Sequence, residues 1–167
     1  MTSIRLANIK DLPAIVAIYN QAVQQQFQTA DTDLVTFEER IGWFNKFDER
    51  YPLLVYTVDD VVVGWASISP YRPYRQALRF CVELSYYVHQ DHHNKGIGTA
   101  LIKHVIDAGK MLGYKNILTI ILDRNEPSIR LMQKLGFEQW AHLPLIADFN
   151  GVECGHVYYG LRIDGCN

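Results

Sequence analysis

The chain has 167 residues, 49% of them hydrophobic and 20% charged, with a formal net charge of −2. This suits one globular domain, 1–167, burying about two-thirds of its unfolded surface, and the lack of any Lys/Arg run excludes nucleic acid as an obligatory partner, since a phosphate backbone calls for a clustered basic face. Cys81, Cys154 and Cys166 are odd in number without CxxC spacing, no charged-then-apolar leader opens the chain, and no apolar run nears the roughly 20 residues of a membrane span, so a cytoplasmic protein without disulfides, zinc knuckle or membrane partner is expected.

Residues 4–6 begin an apolar strand. Asp11 reads as the cap of a helix with Pro13 in its first turn, where a missing N–H costs little. Ala14, Ile15, Ile18, Ala22 and Val23 recur at helical spacing on its core face. Gln24-Gln25-Gln26 is a polar tail, and 29–33 is a polar loop that either borders a substrate pocket or is a solvated connection. Thr36-Phe37-Glu38-Glu39 matches a capping box and starts a second helix, expected to end near Asp48. Residues 53–58 and 61–68, joined by Asp59-Asp60, read as a β-hairpin. Its mostly continuous apolar character predicts a sheet covered on both faces. The loop Tyr71-Arg72-Pro73-Tyr74-Arg75 is either a clamp for a substrate carboxylate, which a guanidinium matches with paired donors, or a solvated turn.

A strand over 79–88 follows, with Glu83 inside it. A carboxylate in an otherwise apolar strand is paired, protonated, used in chemistry or turned outward. The next stretch, His92-His93-Asn94-Lys95-Gly96-Ile97-Gly98-Thr99-Ala100-Leu101, reads as a strand-to-helix turn that holds an anion, or as a plain tight turn. Gly96 and Gly98 let successive N–H groups converge. A helix from Ile97 to about Leu112 adds its unpaired first-turn N–H groups and the positive end of its dipole. With Lys95 nearby, a phosphate or pyrophosphate is the natural guest. Leu101 stands where a dinucleotide fingerprint needs a third small residue, and the P-loop pattern is absent. Gly113 stops the helix, and 116–122 is another buried strand. Asn125 and Ser128 read by default as caps of a helix over about 126–135 that Gly136 closes. Strands over 137–143 and 157–163, separated by a Phe149-Asn150-Gly151 turn, complete the sheet.

The succession strand, HHNKGIGTAL, strand, NEPSIRLMQKLGF resembles the GCN5-related N-acetyltransferase (GNAT) superfamily, with signatures [QR]-x-x-G-x-[GA] and N-x-x-[AS]-x-x-x-[YH]-x-x-x-GF. RIGWFNKF, YPLLVYTVDDVVVGWASISPYRPYR, VELSYYV and ADFNGVECGHVYYGLRI are similar to its phosphinothricin and methionine-sulfone acetyltransferase group, so the resemblance spans nearly the whole chain. It implies an α/β (α+β) fold: a central mixed, mostly antiparallel, splayed β-sheet with helices on both faces. It also implies acetyl-CoA as co-substrate, no metal, a homodimer, and a small-molecule amine acceptor such as an amino acid, phosphinothricin, or methionine sulfone or sulfoximine. Carried over by residue, the backbone of His93, Asn94, Lys95, Gly96, Ile97 and Gly98, with Thr99, would hold the pyrophosphate. Val88, Asn125 and Ser128 would meet the pantetheine arm, and N–H groups near Val88 would polarise the thioester carbonyl. Glu83 coincides with the family's catalytic carboxylate, which takes the amine's proton. Arg72 or Arg75 would engage an acceptor carboxylate.

Three positions depart from the pattern. His93 replaces the signature Gln or Arg, with a charge that depends on pH. Met132 falls at the usual Tyr or His acid and cannot donate a proton, which leaves Tyr86 or Tyr87 as substitute, or thiolate release without an enzymic acid. Gly155, followed by His156, stands where relatives often carry Asp; His156 reads as a strand residue before a catalyst. The alternatives are an acetyltransferase for a protein N-terminus, an aminoglycoside or a polyamine, and a non-catalytic acyl-CoA-binding sensor. Retention of Glu83 weighs against the sensor.

Overall fold

The computed structural model describes residues 1–164, so Cys166 lies outside the described residues. The elements are β1 Thr2–Leu6, α1 Leu12–Gln24, α2 Phe37–Phe44, β2 Leu53–Val58, β3 Val61–Pro70, β4 Cys81–Val88, α3 Ile97–Met111, β5 Asn116–Leu122, α4 Glu126–Lys134, β6 Glu138–Phe149 and β7 Val152–Arg162. The strands form one seven-stranded sheet in the order β1-β2-β3-β4-β5-β7-β6. Every neighbouring pair is antiparallel except β4 and β5. The parallel ladder is short: Cys81, Val82 and Glu83 pair with Asn116, Ile117 and Leu118, and no further rung joins the two strands. Beyond that point β4 stays on β3 up to Val88, and β5 stays on β7 up to Leu122, so the sheet splays open.

Alternation along the strands divides the core into two layers. Val82 and Leu84 of β4, Leu54, Ala66 and Ile68 pack with Leu101, Ile102 and Val105 of α3 and Met132 of α4. On the opposite face Leu53, Val55 and Trp65 pack with Leu12, Ile15, Val16 and Ile18 of α1, and Trp43, Phe44 and Tyr87 join them. Both faces of the central hairpin are therefore covered, as its apolar character predicts. Tyr19, Trp43 and Tyr87 surround Trp65, with ring centroids 6.3, 5.6 and 4.8 Å away.

Several local expectations change. Asp11 does not cap α1 with its side chain. Its carboxylate instead accepts from the Asn8 N–H at 2.8 Å, closing the capping box of a 3₁₀ turn over Ile9–Asp11, and holds the Arg5 guanidinium at 2.7 and 2.9 Å. The Thr36 capping box forms as read, but α2 stops at Phe44, and Asp48 then turns the chain by accepting from the N–H groups of Arg50 and Tyr51. β4 begins at Cys81, after a 3₁₀ turn over Gln76–Leu78. The last two strands run far beyond their apolar signals. β6 is an edge strand exposed along most of its length, so it admits Pro144 and leaves Trp140, Leu145 and Ile146 about half-exposed or more. Register shifts between Gln139 and Ala141 and between Leu143 and Ala147 break its pairing with β7.

Candidate active site

The splay exists because β4 and β5 each have another partner, and it leads into a cleft of about 500 Å³. One wall is the turn from β4 into α3. Asn94 and Gly96 take left-handed backbone conformations, φ 60 and 80, which lift the chain from the strand end to the helix start. Gly98 contributes close packing instead of an unusual backbone angle. A Cβ there would lie 3.3 Å from the Leu131 side chain and 3.4 Å from the Tyr86 ring, so its absence lets α3 approach α4 and β4 closely. No side chain caps α3, and Gly96, Ile97, Gly98 and Thr99 line the cleft. First-turn N–H donors and the positive helix end are thus offered to whatever enters.

The other wall is α4. Asn125 caps it, its side chain accepting from the Ser128 N–H at 3.3 Å. The Ser128 hydroxyl has a different task from the expected capping: it pairs with the Tyr86 hydroxyl across the cleft at 2.8 Å. Burial pushes the Tyr86 phenol up, against the pull of that hydrogen bond, so it remains a proton donor at neutral pH.

Of the residues other than Glu83 that the sequence singled out, the cleft gathers Tyr86, Tyr87, Val88, His93, Asn94, Gly96, Ile97, Gly98, Thr99, Asn125 and Ser128. Lys95 is not among its lining residues: its ammonium donates to the Asp91 carbonyl at 2.9 Å and closes the turn from outside. His93 Nε2 donates to the Val88 carbonyl at 2.8 Å. The neutral ring therefore presents Nδ1 as an acceptor, and a second donor arises only when the ring is protonated. Arg72 and Arg75 also lie off the cleft, in the loop between β3 and β4.

Glu83 occupies the last rung of the β4–β5 ladder, opposite Leu118 on one side and Ser69 on the other. By strand alternation it shares a face with Ser85 and Tyr87, away from Tyr86 and Val88. Burial raises its carboxyl above the ordinary range, and the positive charge of Arg72 partly opposes this. Arg72 is thereby the one of the two loop arginines within electrostatic reach of Glu83. Cys81, next on the same face, has its thiol pushed up by burial and then by Glu83.

The remaining departures also resolve structurally. Met132 is fully buried among the α3 and α4 core residues, so the side chain at the usual acid position faces the core. Tyr87 packs edge-on against Tyr19 at 5.0 Å, and burial drives its phenol far up. At Gly155 an added Cβ would fall 2.6 Å from Asp123 Oδ2 and 2.8 Å from His142 Nε2. The Asp123–His142 pair, 3.1 Å apart, fills the space a side chain would need. His156 is partly buried, which favours its neutral form against the pull of Asp123.

Gln21, Gln25, Gln28, Leu131 and Lys134 also line the cleft and were not singled out by sequence. The glutamines had a legible signal in part, since Gln25, at the C-cap of α1, lies four residues beyond Gln21. Gln21 accepts from the Gln90 N–H at 3.0 Å and Gln25 donates to the Gln90 side chain at 3.2 Å, tying the end of α1 to the loop after β4.

The chain is similar to known proteins over most of its length. The L-amino acid N-acyltransferase MnaT of Escherichia coli strain K12 is 34% identical over 163 residues, covering 97% of this chain and 94% of its own. The L-methionine sulfoximine/L-methionine sulfone acetyltransferase of Salmonella typhimurium strain LT2 is 34% identical over 145 residues, with 86% and 84% covered. Among solved structures, the GNAT superfamily phosphinothricin acetyltransferase of Sinorhizobium meliloti in complex with acetyl-CoA superposes with a TM-score of 0.91 at 27% identity, covering 97% of this chain and 88% of that one. Residues 12–137 match the acetyltransferase (GNAT) family, to which this chain belongs.

Proposed function

We propose that the protein transfers the acetyl group of acetyl-CoA to the α-amine of an amino acid or close analogue, such as phosphinothricin or methionine sulfone or sulfoximine, with Glu83 as general base. The carrying observation is the placement of Glu83 at the last rung before β4 and β5 part, on the face of β4 opposite Tyr86 and Val88. Two reactants approaching from the two faces would meet at the splay. The cleft residues fit the co-substrate: uncapped N–H groups of α3 suit a pyrophosphate, and Asn125, Ser128 and Val88 border the path an extended arm would take.

Acetyl-CoA supplies an activated acyl group whose carbonyl carbon accepts an amine. The residues of this chain supply the rest. An alkylammonium must lose a proton before its nitrogen can attack, and Glu83, held partly buried, is poised to take it at neutral pH because desolvation brings its basicity closer to that of the task. The Tyr86 hydroxyl, anchored by Ser128, offers a proton to the departing sulfur, the role Met132 cannot perform. Arg72, beside Glu83, provides paired donors for the acceptor's carboxylate.

The test is free-thiol release from acetyl-CoA across the standard amino acids, methionine sulfone, methionine sulfoximine, phosphinothricin, a polyamine, an aminoglycoside and a short peptide. Turnover confined to amino acids and analogues supports the reading, and Arg72→Ala should then raise KM for the amino acid more than for acetyl-CoA. Turnover on the polyamine or peptide alone overturns the acceptor class. Tight acetyl-CoA binding with no turnover on any amine favours the sensor.

A further inference from the structure

The residues that line the cleft include no carboxylate, and Lys134 is the one side chain among them with a permanent positive charge. It sits in the last turn of α4, exposed, and takes part in no ion pair or side-chain hydrogen bond among the described residues. A favourable interaction with the helix C-terminus accounts for a lysine in that turn. It does not account for the side chain lining the cleft.

Its place along the helix indicates what it would meet there. Asn125, Ser128, Leu131 and Lys134 succeed one another on the cleft side of α4, three residues apart. Ser128 meets Tyr86 at the splay, and Leu131 abuts Gly98 at the start of α3. Lys134 lies one step further out, about 5 Å of helix rise beyond the main-chain cradle. An extended ligand with its arm at Ser128 and its pyrophosphate at Gly98 carries its nucleotide toward Lys134. The pyrophosphate already has main-chain donors. The group without a partner is the phosphate on the ribose, one sugar ring away from the pyrophosphate.

We propose that Lys134 recognises the 3′-phosphate of the CoA nucleotide, making this chain selective for CoA over 3′-dephospho-CoA. The assignment rests on the acetyl-CoA reading given above and extends it to the outer end of the cleft. Because Lys134 is exposed and alanine favours helix, Lys134→Ala should fold as the parent does.

The experiment is calorimetric titration of the intact protein and of Lys134→Ala with CoA and with 3′-dephospho-CoA. The parent should bind CoA about five- to tenfold more tightly, as one partly exposed charge-assisted contact allows. The variant should lose that preference by weakening on CoA alone, and Lys134→Arg should retain it. Equal weakening toward both ligands would assign Lys134 to the pyrophosphate and overturn the proposal, as would an undiminished preference in the variant. Failure of the parent protein to bind either ligand would overturn the acetyl-CoA reading itself, a result distinct from both.

Discussion

The two faces of β4 are built differently. On the Tyr86 and Val88 face the phosphate-type end of the cleft offers main-chain donors: the uncapped start of α3, set by the glycine contact that brings α3 against α4 and Tyr86. On the Glu83 face the chemistry rests on side chains, a partly buried carboxylate with Arg72 in reach and Ser69 and Leu118 across the rungs. A main-chain site keeps its donors at any pH and changes only if the backbone is displaced. A side-chain site depends on protonation state, and single substitutions abolish it. The difference predicts that mutations on one face should alter co-substrate binding and those on the other should alter proton transfer, with little crossover.

The largest effect is expected at Glu83. Glu83→Gln keeps the shape and removes the base, so kcat/KM should fall by about 10²–10⁴ while calorimetric affinity for acetyl-CoA stays within twofold of the parent. The parent's kcat/KM should fall as pH drops through the raised Glu83 pKa, above the ordinary carboxylate range, because only the ionised form accepts a proton. That acidic limb should be missing in the variant. A parallel loss of acetyl-CoA affinity would show that the two faces are not independent.

Next comes Gly98→Val. A single methyl would sit 3.3–3.4 Å from Leu131 and Tyr86, a gap that small shifts absorb, but the branch methyls would force α3 and α4 apart. Affinity for acetyl-CoA should drop about tenfold or more, in line with overpacking costs of about 1–3 kcal/mol, with the acidic limb of the pH profile unmoved. Tyr86→Phe should act more mildly. It deletes the hydroxyl that Ser128 holds and should lower kcat about tenfold, leaving KM for the amine unchanged. An unchanged kcat would mean that the sulfur leaves without help from this phenol.

Main-chain features were the more legible in the sequence. The Gly96 turn, the helix start and the Thr36 capping box each follow from local rules and appear where those rules put them, whereas Gly98 sits inside α3 and serves close packing. The division of the hairpin between two core layers followed from its apolar run. Features that depend on distant partners were less legible. The Ser128 hydroxyl bonds a residue 42 positions away, and Asp11 is drawn to Arg5 by the β1 end, so capping rules alone misassigned both side chains. Lys95 sits inside the glycine motif but bonds the Asp91 carbonyl and does not line the cleft, while Lys134, at an unspecified position of NEPSIRLMQKLGF, and Gln28, outside any motif, do. The extended β6 and β7 escaped notice because an edge strand needs no apolar alternation on its open side.

The smallest expected effect concerns stability at Glu83, and its sign opposes the effect on activity. A carboxyl whose folded pKa lies above its unfolded value is destabilised as an anion in the native state. Stability is then lost as pH rises from the unfolded pKa, about 4.3, through the folded one. Glu83→Gln should therefore raise the melting temperature at neutral pH by about one to two degrees, and that gain should vanish below about pH 3, where both states of the parent carry the proton. Arg72 reduces the gain by stabilising the anion, so Arg72→Ala should enlarge the difference between the parent and Gln forms at neutral pH. A melting temperature lowered by Glu83→Gln would mean that the carboxylate is held by more than Arg72, and that the acceptor face is a structural ion pair before it is a catalytic one.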